Sequence, residues 1–445
     1  MKIAIFGTGY VGLVSAIGLA NTGKKVVCID NDIEKVNKIK NGIAPIYEPG
    51  LNELLANNKE LLEVTSDANK AIKVSDVIVI AVGTPFDGRH IDLSYIKQAA
   101  KEIGQAIKDI NKYRVVVVKS TVVPETTMGV VKPIVLEYSG KNEAEVGFAM
   151  NPEFLKEGSA VVDFINPDRI VLGVSSKRVE NILRKVYDGF GNSTIFVTNP
   201  TTAEMIKYTA NSFLALTISY ANEIARICET LPGVDSEEVF KGVILDKRFS
   251  PLIGEKRITP QLATYLRAGI GFGGSCFPKD VKALHAFSAD FKVDGKLLEG
   301  LLYINETQLK HVFKIGINNF RGKVKRIAIL GTAFKPNTDD IRESPGVKLA
   351  QMALDNGIQV SAHDYIALQN TKNLLGTQIE YYENPIEAIK NADVIYVTTI
   401  WQQYKTISDK EFEKNMKNNA IMVDTRSLFK ERKVKKWRYR VGVGK

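Results

Sequence analysis

The stretch "IFGTGYVGLVSAIGLANTGKKVVCID", residues 5–30, constrains the fold more than any other part of the chain. "KIAIFG" reads as a buried strand, Val11 to Thr22 as a helix, and "KVVCID" as the next strand. Gly7 supplies the tight turn between them, Gly9 lets a pyrophosphate approach the backbone, and Gly12 lets the helix pack close to the strand. The helix N-terminus then offers free N–H groups and partial positive charge to phosphates. Asp30 follows Gly12 by eighteen residues and ends the second strand. A carboxylate there suits the two hydroxyls of an adenosine ribose and repels a 2′-phosphate, so the pattern predicts a site for NAD rather than NADP.

Further strands at "DVIVIAVGTP" and "RVVVVKSTVVP" break into Gly, Thr or Pro at their carboxyl ends. Strands alternating with helical stretches imply a parallel, doubly wound sheet over residues 1–200. From Thr202 to Leu231 the pattern is helical until Pro232-Gly233 stops it. Lys207, Glu223 and Arg226 leave at most fifteen uncharged residues, short of the roughly 20 a membrane span needs. The segment reads as a connecting helix and a dimer seam. At "RIAILGTAFKPNTDDIRESPGVKLAQMALDNGIQVSAHD" the opening arrangement returns, with Gly331 and Asp364 echoing Gly7 and Asp30, although extra residues separate turn from helix and the glycine fingerprint is absent. The expected fold class is α/β, with two Rossmann-like doubly wound domains (1–200 and 321–430) joined by a long central helix and a helical middle domain (201–320). A basic tail, 431–445, follows.

The chain of 445 residues carries a net charge of +10, and its last sixteen residues hold eight Lys/Arg against one Glu. The folded body is therefore nearly balanced, and a nucleic-acid partner is not expected. An NAD-binding regulator whose tail grips nucleic acid is the reading from a different class. Three scattered cysteines and four histidines offer neither a disulfide framework nor metal-ligand spacing, so no metal is expected. The N-terminus enters a strand directly, which points to a cytoplasmic protein.

"GFGGSCFPKD", residues 271–280, sets Cys276 among glycines and follows it with Pro278, Lys279 and Asp280. Pro278 fits the first turn of a helix starting near Cys276, and the helix end and Lys279 both favour thiolate. The preceding glycines leave room for substrate and expose N–H groups to an oxyanion. A nucleophile is the reading for Cys276, whereas Cys28 and Cys228 read as small buried hydrophobes. Lys207 and Asn211, four apart, share a helix face, either as a catalytic pair or as a snorkelling lysine and a polar interruption. In "NPEFLKEG", Glu153 and Glu157 fall on one side of a turn opened by Asn151 and Pro152, as acid/base groups or as solvated carboxylates. Thr84 and Thr121 close two strands where such sheets place ligands.

Together "GTGYVG", "VGTP", "STVVP", "NPEFLKEGSA", "AEMIKYTANSFLA", "GFGGSCFPKD" and "FKPNTDDIRESP" resemble the nucleotide-sugar dehydrogenases, over residues 1 to about 430. The resemblance implies oxidation of a primary alcohol to a carboxylate, UDP-glucose being the favoured substrate and GDP-mannose or a UDP-N-acetylhexosamine the alternatives. It implies that Cys276 holds the aldehyde as a thiohemiacetal and then a thioester. Lys207 and Asn211 would stabilise the oxyanion, Thr121, Glu157 and Asp280 would order or activate water, and Glu153 would support the site. NAD would be faced by Gly7, Gly9, Tyr10, Val11, Gly12, Asp30, Lys35, Thr84, Thr121, Glu157, Lys279 and Arg342. The nucleotide sugar would meet Glu153, Phe154, Leu155, Lys207, Asn211, Tyr265, Gly273 and Lys335, with Arg426 a further candidate for its diphosphate. Between the long helix and the glycine loop the chain departs from the family pattern and offers both Arg248 and Arg257 for an arginine that reaches a neighbouring subunit's substrate. A homodimer is expected.

Overall fold

The computed structural model describes the chain except residues 192, 434 and 445. It forms two compact units, Met1–Ala210 and Asn211–Lys445. The first is built on β1 (Lys2–Phe6), β2 (Lys25–Ile29), β3 (Leu62–Thr65), β4 (Val77–Ile80), β5 (Arg114–Val118), β6 (Val146–Met150), β7 (Arg169–Val174) and β8 (Thr194–Thr198). They lie in the order β3-β2-β1-β4-β5-β6-β7-β8, parallel except where β6 meets β7. Helices cover both faces, so the inner strands are apolar without alternation, as in VIVI and RVVVV. The order reverses between β1 and β4, and ligands of open α/β sheets bind outside the strand ends at such a point.

Helix α1 (Tyr10–Asn21) is buried continuously from Gly12 to Ala20. A Cβ on Gly12 would lie 2.0 Å from the Gly7 carbonyl oxygen, and one on Gly18 2.1 Å from the Phe164 ring. Gly7 itself is left-handed at φ +90°, a conformation that L side chains rarely adopt.

Helix α2 (Pro200–Glu229) carries the chain out of the first unit, and from Asn211 onward it belongs to the second. There it packs on α4 (Lys296–Asn319), which follows α3 (Phe277–Asp290): Ser219 donates to the Leu301 carbonyl at 2.9 Å and Arg226 to Gln308 at 2.8 Å. A small hairpin, β9 (Leu252–Ile253) with β10 (Lys256–Arg257), occupies the departure from the family pattern. The second large sheet contains β11 (Arg326–Leu330), β12 (Gln359–His363), β13 (Glu380–Tyr381), β14 (Val394–Val397), β15 (Ile421–Asp424) and β16 (Arg438–Arg440). All its neighbours are parallel, in the order β13-β12-β11-β14-β15-β16, so its topology repeats that of β1 to β6 in the first sheet. Helical middle and second sheet share a core in which Val312 and Phe313 of α4 join Ile327, Tyr396 and Val423.

The described residues of the basic C-terminal segment belong to the fold. β16 completes the second sheet, Val441 is buried, and Gly442 accepts from the Ser236 amide at 2.9 Å. Four of the segment's cations are paired within the fold: Arg432 and Arg438 with Asp409, Arg440 with Asp235, and Lys435 with Glu413.

The internal echo is deeper than the glycine spacing suggested. A Cβ on Gly346, in the first turn of α5 (Pro345–Asp355), would lie 2.3 Å from the Gly331 carbonyl oxygen, reproducing the approach of Gly12 to Gly7. The third glycine of the fingerprint survives, displaced by the loop 332–344. The two acids differ, however. Asp364 is buried and accepts from the amides of Thr332, Ala333, Ile366 and Ala367 and from the Trp401 indole. Asp30 is half-buried and accepts from Thr8 and the Asp32 amide.

These contacts predict opposite outcomes for two alanines. Gly346→Ala overpacks a backbone contact and lowers unfolding stability by about 1–3 kcal/mol. Gly300→Ala meets nothing within 4 Å on α4 and raises stability by about 0.5–1 kcal/mol. Denaturant titration of both variants checks the pair.

Candidate active site

In the first unit the β1–α1 turn fits a dinucleotide. A Cβ on Gly9 would meet nothing within 4 Å, and among the described residues no side chain caps α1 and no acid lies in its first turn. Its leading N–H groups are therefore left for an anion. Burial works to raise the Asp30 carboxyl, but the Thr8 hydroxyl, the amides of Asp32 and Thr8, and Lys35 outweigh it and hold the pKa below the ordinary carboxylate range. Asp30 is thus a charged acceptor, with Lys35 beside it and also 3.6 Å from Asp32. Tyr10 and Val11 open α1.

At the carboxyl ends of β4 and β5, the Thr84 hydroxyl donates to the Thr121 carbonyl at 2.8 Å, which ties the two strand-end threonines together. Beyond β6, Glu153 is buried and bonded to Lys207 at 2.8 Å and to the Leu155 amide at 2.7 Å. Burial pushes the Glu153 carboxyl up, yet the charge and hydrogen bond of Lys207, the Leu155 amide and Lys119 bring it below its ordinary value. Lys207 stands 5.4 Å from the Phe154 ring centre, and Arg169 stacks on that ring at 3.8 Å. Glu153, Phe154 and Lys207 therefore form one cluster, and the snorkelling reading of Lys207 does not hold. Leu155 packs on the core, and Glu157 is half-buried.

Sequence reasoning missed Lys119. It is 5% exposed, and its ammonium donates to Asn151 at 2.9 Å. Burial drives its pKa down to about 8; Glu153 opposes that shift and Lys207 adds to it. The available signal was a lysine directly after the buried run VVVV.

In the second unit Cys276 is the N-cap residue of α3, with Pro278 in the first turn. Its sulfur lies 3.6 Å from the Ser275 hydroxyl. Asp280 is 1% exposed and accepts from Asn211 at 2.6 Å and from Lys279 at 2.6 Å. The glycine loop has little room: Gly274 is left-handed at φ +82°, and a Cβ on Gly273 would lie 2.3 Å from the Glu343 carbonyl oxygen. The Gly274 amide donates to the Arg342 carbonyl at 3.0 Å, so this loop and the segment carrying Lys335 and Arg342 are held together. Asn305, which carried no sequence signal, brackets Phe272 by accepting from its amide and donating to its carbonyl.

Three arginines are resolved by their partners. Arg426 donates Nε–H to the Thr398 carbonyl and Nη1–H to the Gly271 carbonyl, which braces the glycine loop, and burial lowers its pKa to about 10. Arg257 donates to the carbonyls of Leu245 and Ser250 and holds the hairpin loop. Arg248 is exposed and bonded to Asp246 in its own loop. Arg342 grips Asp340, Lys335 lies over Phe334, and Tyr265 ends a short 3-10 turn.

Three family models tile the chain. They are the NAD binding domain of the UDP-glucose/GDP-mannose dehydrogenase family over residues 1–191, its central domain over 201–307 and its UDP binding domain over 328–431. The chain belongs to the UDP-glucose/GDP-mannose dehydrogenase family. UDP-glucose 6-dehydrogenase TuaD of Bacillus subtilis is 42% identical over 433 residues, covering 96% of this chain and 89% of the relative. UDP-glucose 6-dehydrogenase of Rhizobium meliloti is 38% identical, covering 99% and 98%. Among solved structures, a UDP-glucose dehydrogenase from Pyrobaculum islandicum matches with a TM-score of 0.88 at 36% identity, covering 100% and 98%. UDP-D-ManNAc dehydrogenase from Pyrococcus horikoshii matches at 0.84 and 28%, covering both chains fully. This family member is an NAD-dependent oxidoreductase with two Rossmann-like sheets and a helical middle. Among the described residues no helix is long and apolar enough to cross a membrane.

Lys119 supplies a pH test of the buried cluster. Its folded pKa of about 8 lies below the ordinary 10.5, so between these values the unfolded chain binds more protons. The stability contributed at this position is then least below pH 8 and grows as pH rises toward 10.5. The unfolding free energy of wild type minus that of Lys119→Met should rise from about pH 7.5 to about pH 9.5. Parallel urea titrations at the two pH values check this, and a constant difference contradicts it.

Proposed function

We propose that the chain oxidises UDP-glucose to UDP-glucuronate in two NAD-dependent steps, through covalent intermediates on Cys276. The observation that carries this reading is a thiol at the N-cap of α3, behind a glycine loop and four residues before an Asp280 carboxylate bonded to Asn211 and Lys279. The choice of sugar rests on relatives named UDP-glucose 6-dehydrogenase. NAD, when bound, accepts a hydride in each oxidation. The positive end of α3 and Lys279 favour the Cys276 thiolate, which adds to the aldehyde and retains it as a thiohemiacetal. Oxidation of that adduct leaves a thioester, and water releases the carboxylate.

In this reading Lys207 and Asn211 donate to the developing oxyanion, and Glu153 orients Lys207. Thr121, Glu157 and Asp280 hold and activate the water. Gly7, Gly9, Gly12, Tyr10, Val11, Asp30, Lys35, Thr84, Lys279 and Arg342 hold NAD. Phe154, Leu155, Tyr265, Gly273 and Lys335 meet the nucleotide sugar. We further propose a cytoplasmic homodimer. Phe213, Tyr220 and Ile227 recur every seven residues on α2 and are each at least half exposed, an apolar stripe that a second copy would cover.

Cys276→Ser should bind NAD within about twofold of wild type but lose turnover by about a thousandfold or more, because a hydroxyl has no comparable anionic fraction near neutral pH. Fluorescence titration and steady-state assays separate the two effects, and an active serine variant would remove the covalent route. Wild type should also prefer UDP-glucose to GDP-mannose and UDP-N-acetylglucosamine in kcat/KM. Sedimentation should report a dimer that Tyr220→Glu with Ile227→Glu dissociates; a wild-type monomer at micromolar concentration contradicts the assembly.

A further inference from the structure

One buried carboxylate of the first unit has no part in the reaction described above. Glu48 lies in "IYEPG", between β2 and β3, and is 5% exposed. Oε1 accepts from the Ala160 amide at 2.7 Å, while Oε2 accepts from the Gly158 amide at 2.7 Å and from the Tyr10 hydroxyl. The Gly158 amide also lies 3.1 Å from the Tyr10 oxygen. One side chain thus joins the first residue of α1, at the dinucleotide turn, to the backbone just after Glu157.

The turn around Glu157 is closed locally by the Ser159 amide, which donates to the Lys156 carbonyl at 2.9 Å, and by the Ser159 hydroxyl, which donates to Asp163 at 3.1 Å. Gly158 is left-handed at φ +81°, and Ser159, the N-cap of the short helix Ala160–Ile165, makes no side-chain capping bond. Glu48 supplies that cap from 112 residues away. On the other side of Glu157, the Lys156 amide donates to Asp163 at 3.0 Å. Two carboxylates thus take amides on either side of Glu157, Asp163 from within the segment and Glu48 from outside it. Burial, the hydrogen bond from Glu48 and the charges of Glu48 and Glu157 raise the Tyr10 pKa far above its ordinary value, so the phenol remains a proton donor to Glu48.

We propose that Glu48 is a positioning residue, which fixes the Glu157 turn in register with the dinucleotide-binding end of α1 through Tyr10. This rests on the reading of Glu157 as a group that orders water beside NAD. The carboxylate is required because three donors converge on it. Glutamine of the same shape must turn an NH2 group toward either the Ala160 amide or the Gly158 and Tyr10 donors. Tyr10→Phe keeps both amide bonds to Glu48 and removes the contacts of the phenol with Glu48 and with the Gly158 amide.

The test compares Glu48→Gln, Tyr10→Phe, Glu157→Gln and the Glu48→Gln/Glu157→Gln double variant as full-length proteins. Glu48→Gln should lower kcat at least tenfold, and the double variant should be no slower than Glu157→Gln alone, because the clamp acts through that residue. Tyr10→Phe should weaken NAD binding by severalfold, and it carries the proposal if Glu48→Gln does not fold. Wild-type kinetics in Glu48→Gln, a fully additive double variant, or wild-type NAD affinity in Tyr10→Phe would each overturn the clamp. A fully active Glu157→Gln would instead remove the role of Glu157. Amide exchange then decides the clamp alone: Glu48→Gln speeds exchange at Gly158 and Ala160 at least tenfold, and unchanged exchange overturns it.

Discussion

Backbone meets backbone at Gly12 and the Gly7 carbonyl with no space for a methyl group, and the first unit is arranged around that contact. It sets the angle at which α1 leaves β1, and so the direction in which the helix N–H groups point. Asp30, at the end of β2, is placed opposite those groups because β2 pairs in parallel with β1 and Gly7 donates to Ile29. Tyr10 begins the helix and is held by Glu48. A wider approach at Gly12 would move phosphate donors, ribose acceptor and the Glu157 turn together, since each is attached to the same two elements.

The second unit keeps this geometry and loses the chemistry of the first site. Gly346 approaches Gly331 as Gly12 approaches Gly7, and the strand order is the same. Asp364, however, is enclosed by four amides and an indole, which use the acceptor capacity that a ribose would need. Backbone topology is thus separable from ligand choice, and two copies of one topology serve different ends in this family. The proposed chemistry of the second unit is placed instead at α3, where the helix end, the glycine loop and Asp280 occur within ten residues of sequence.

What was legible in the sequence is what is local in it. The dinucleotide turn, the helix opening at Cys276 and the order of strands and helices are carried by short spacings of Gly, Pro and apolar residues. Glu48 was hidden because its partners lie 38, 110 and 112 positions away, and "IYEPG" by itself looks like an ordinary turn. Lys119 was hidden because a strand-end lysine usually reaches solvent, and here Asn151 and Glu153 close over it. The C-terminal residues misled for the opposite reason: their composition is strongly basic, but the acids that pair with four of their cations, Asp235, Asp409 and Glu413, are remote in sequence. The bonds from Arg426 to the carbonyls of Gly271 and Thr398 were likewise hidden, because they lie 155 and 28 positions away.

The most direct test of the account is the stoichiometry of NADH formed per UDP-glucose consumed by the purified protein under single-substrate conditions. Covalent retention of the aldehyde on Cys276 predicts two NADH per sugar, with no free aldehyde trapped by an added amine. One NADH per sugar, with aldehyde released to solution, would contradict it.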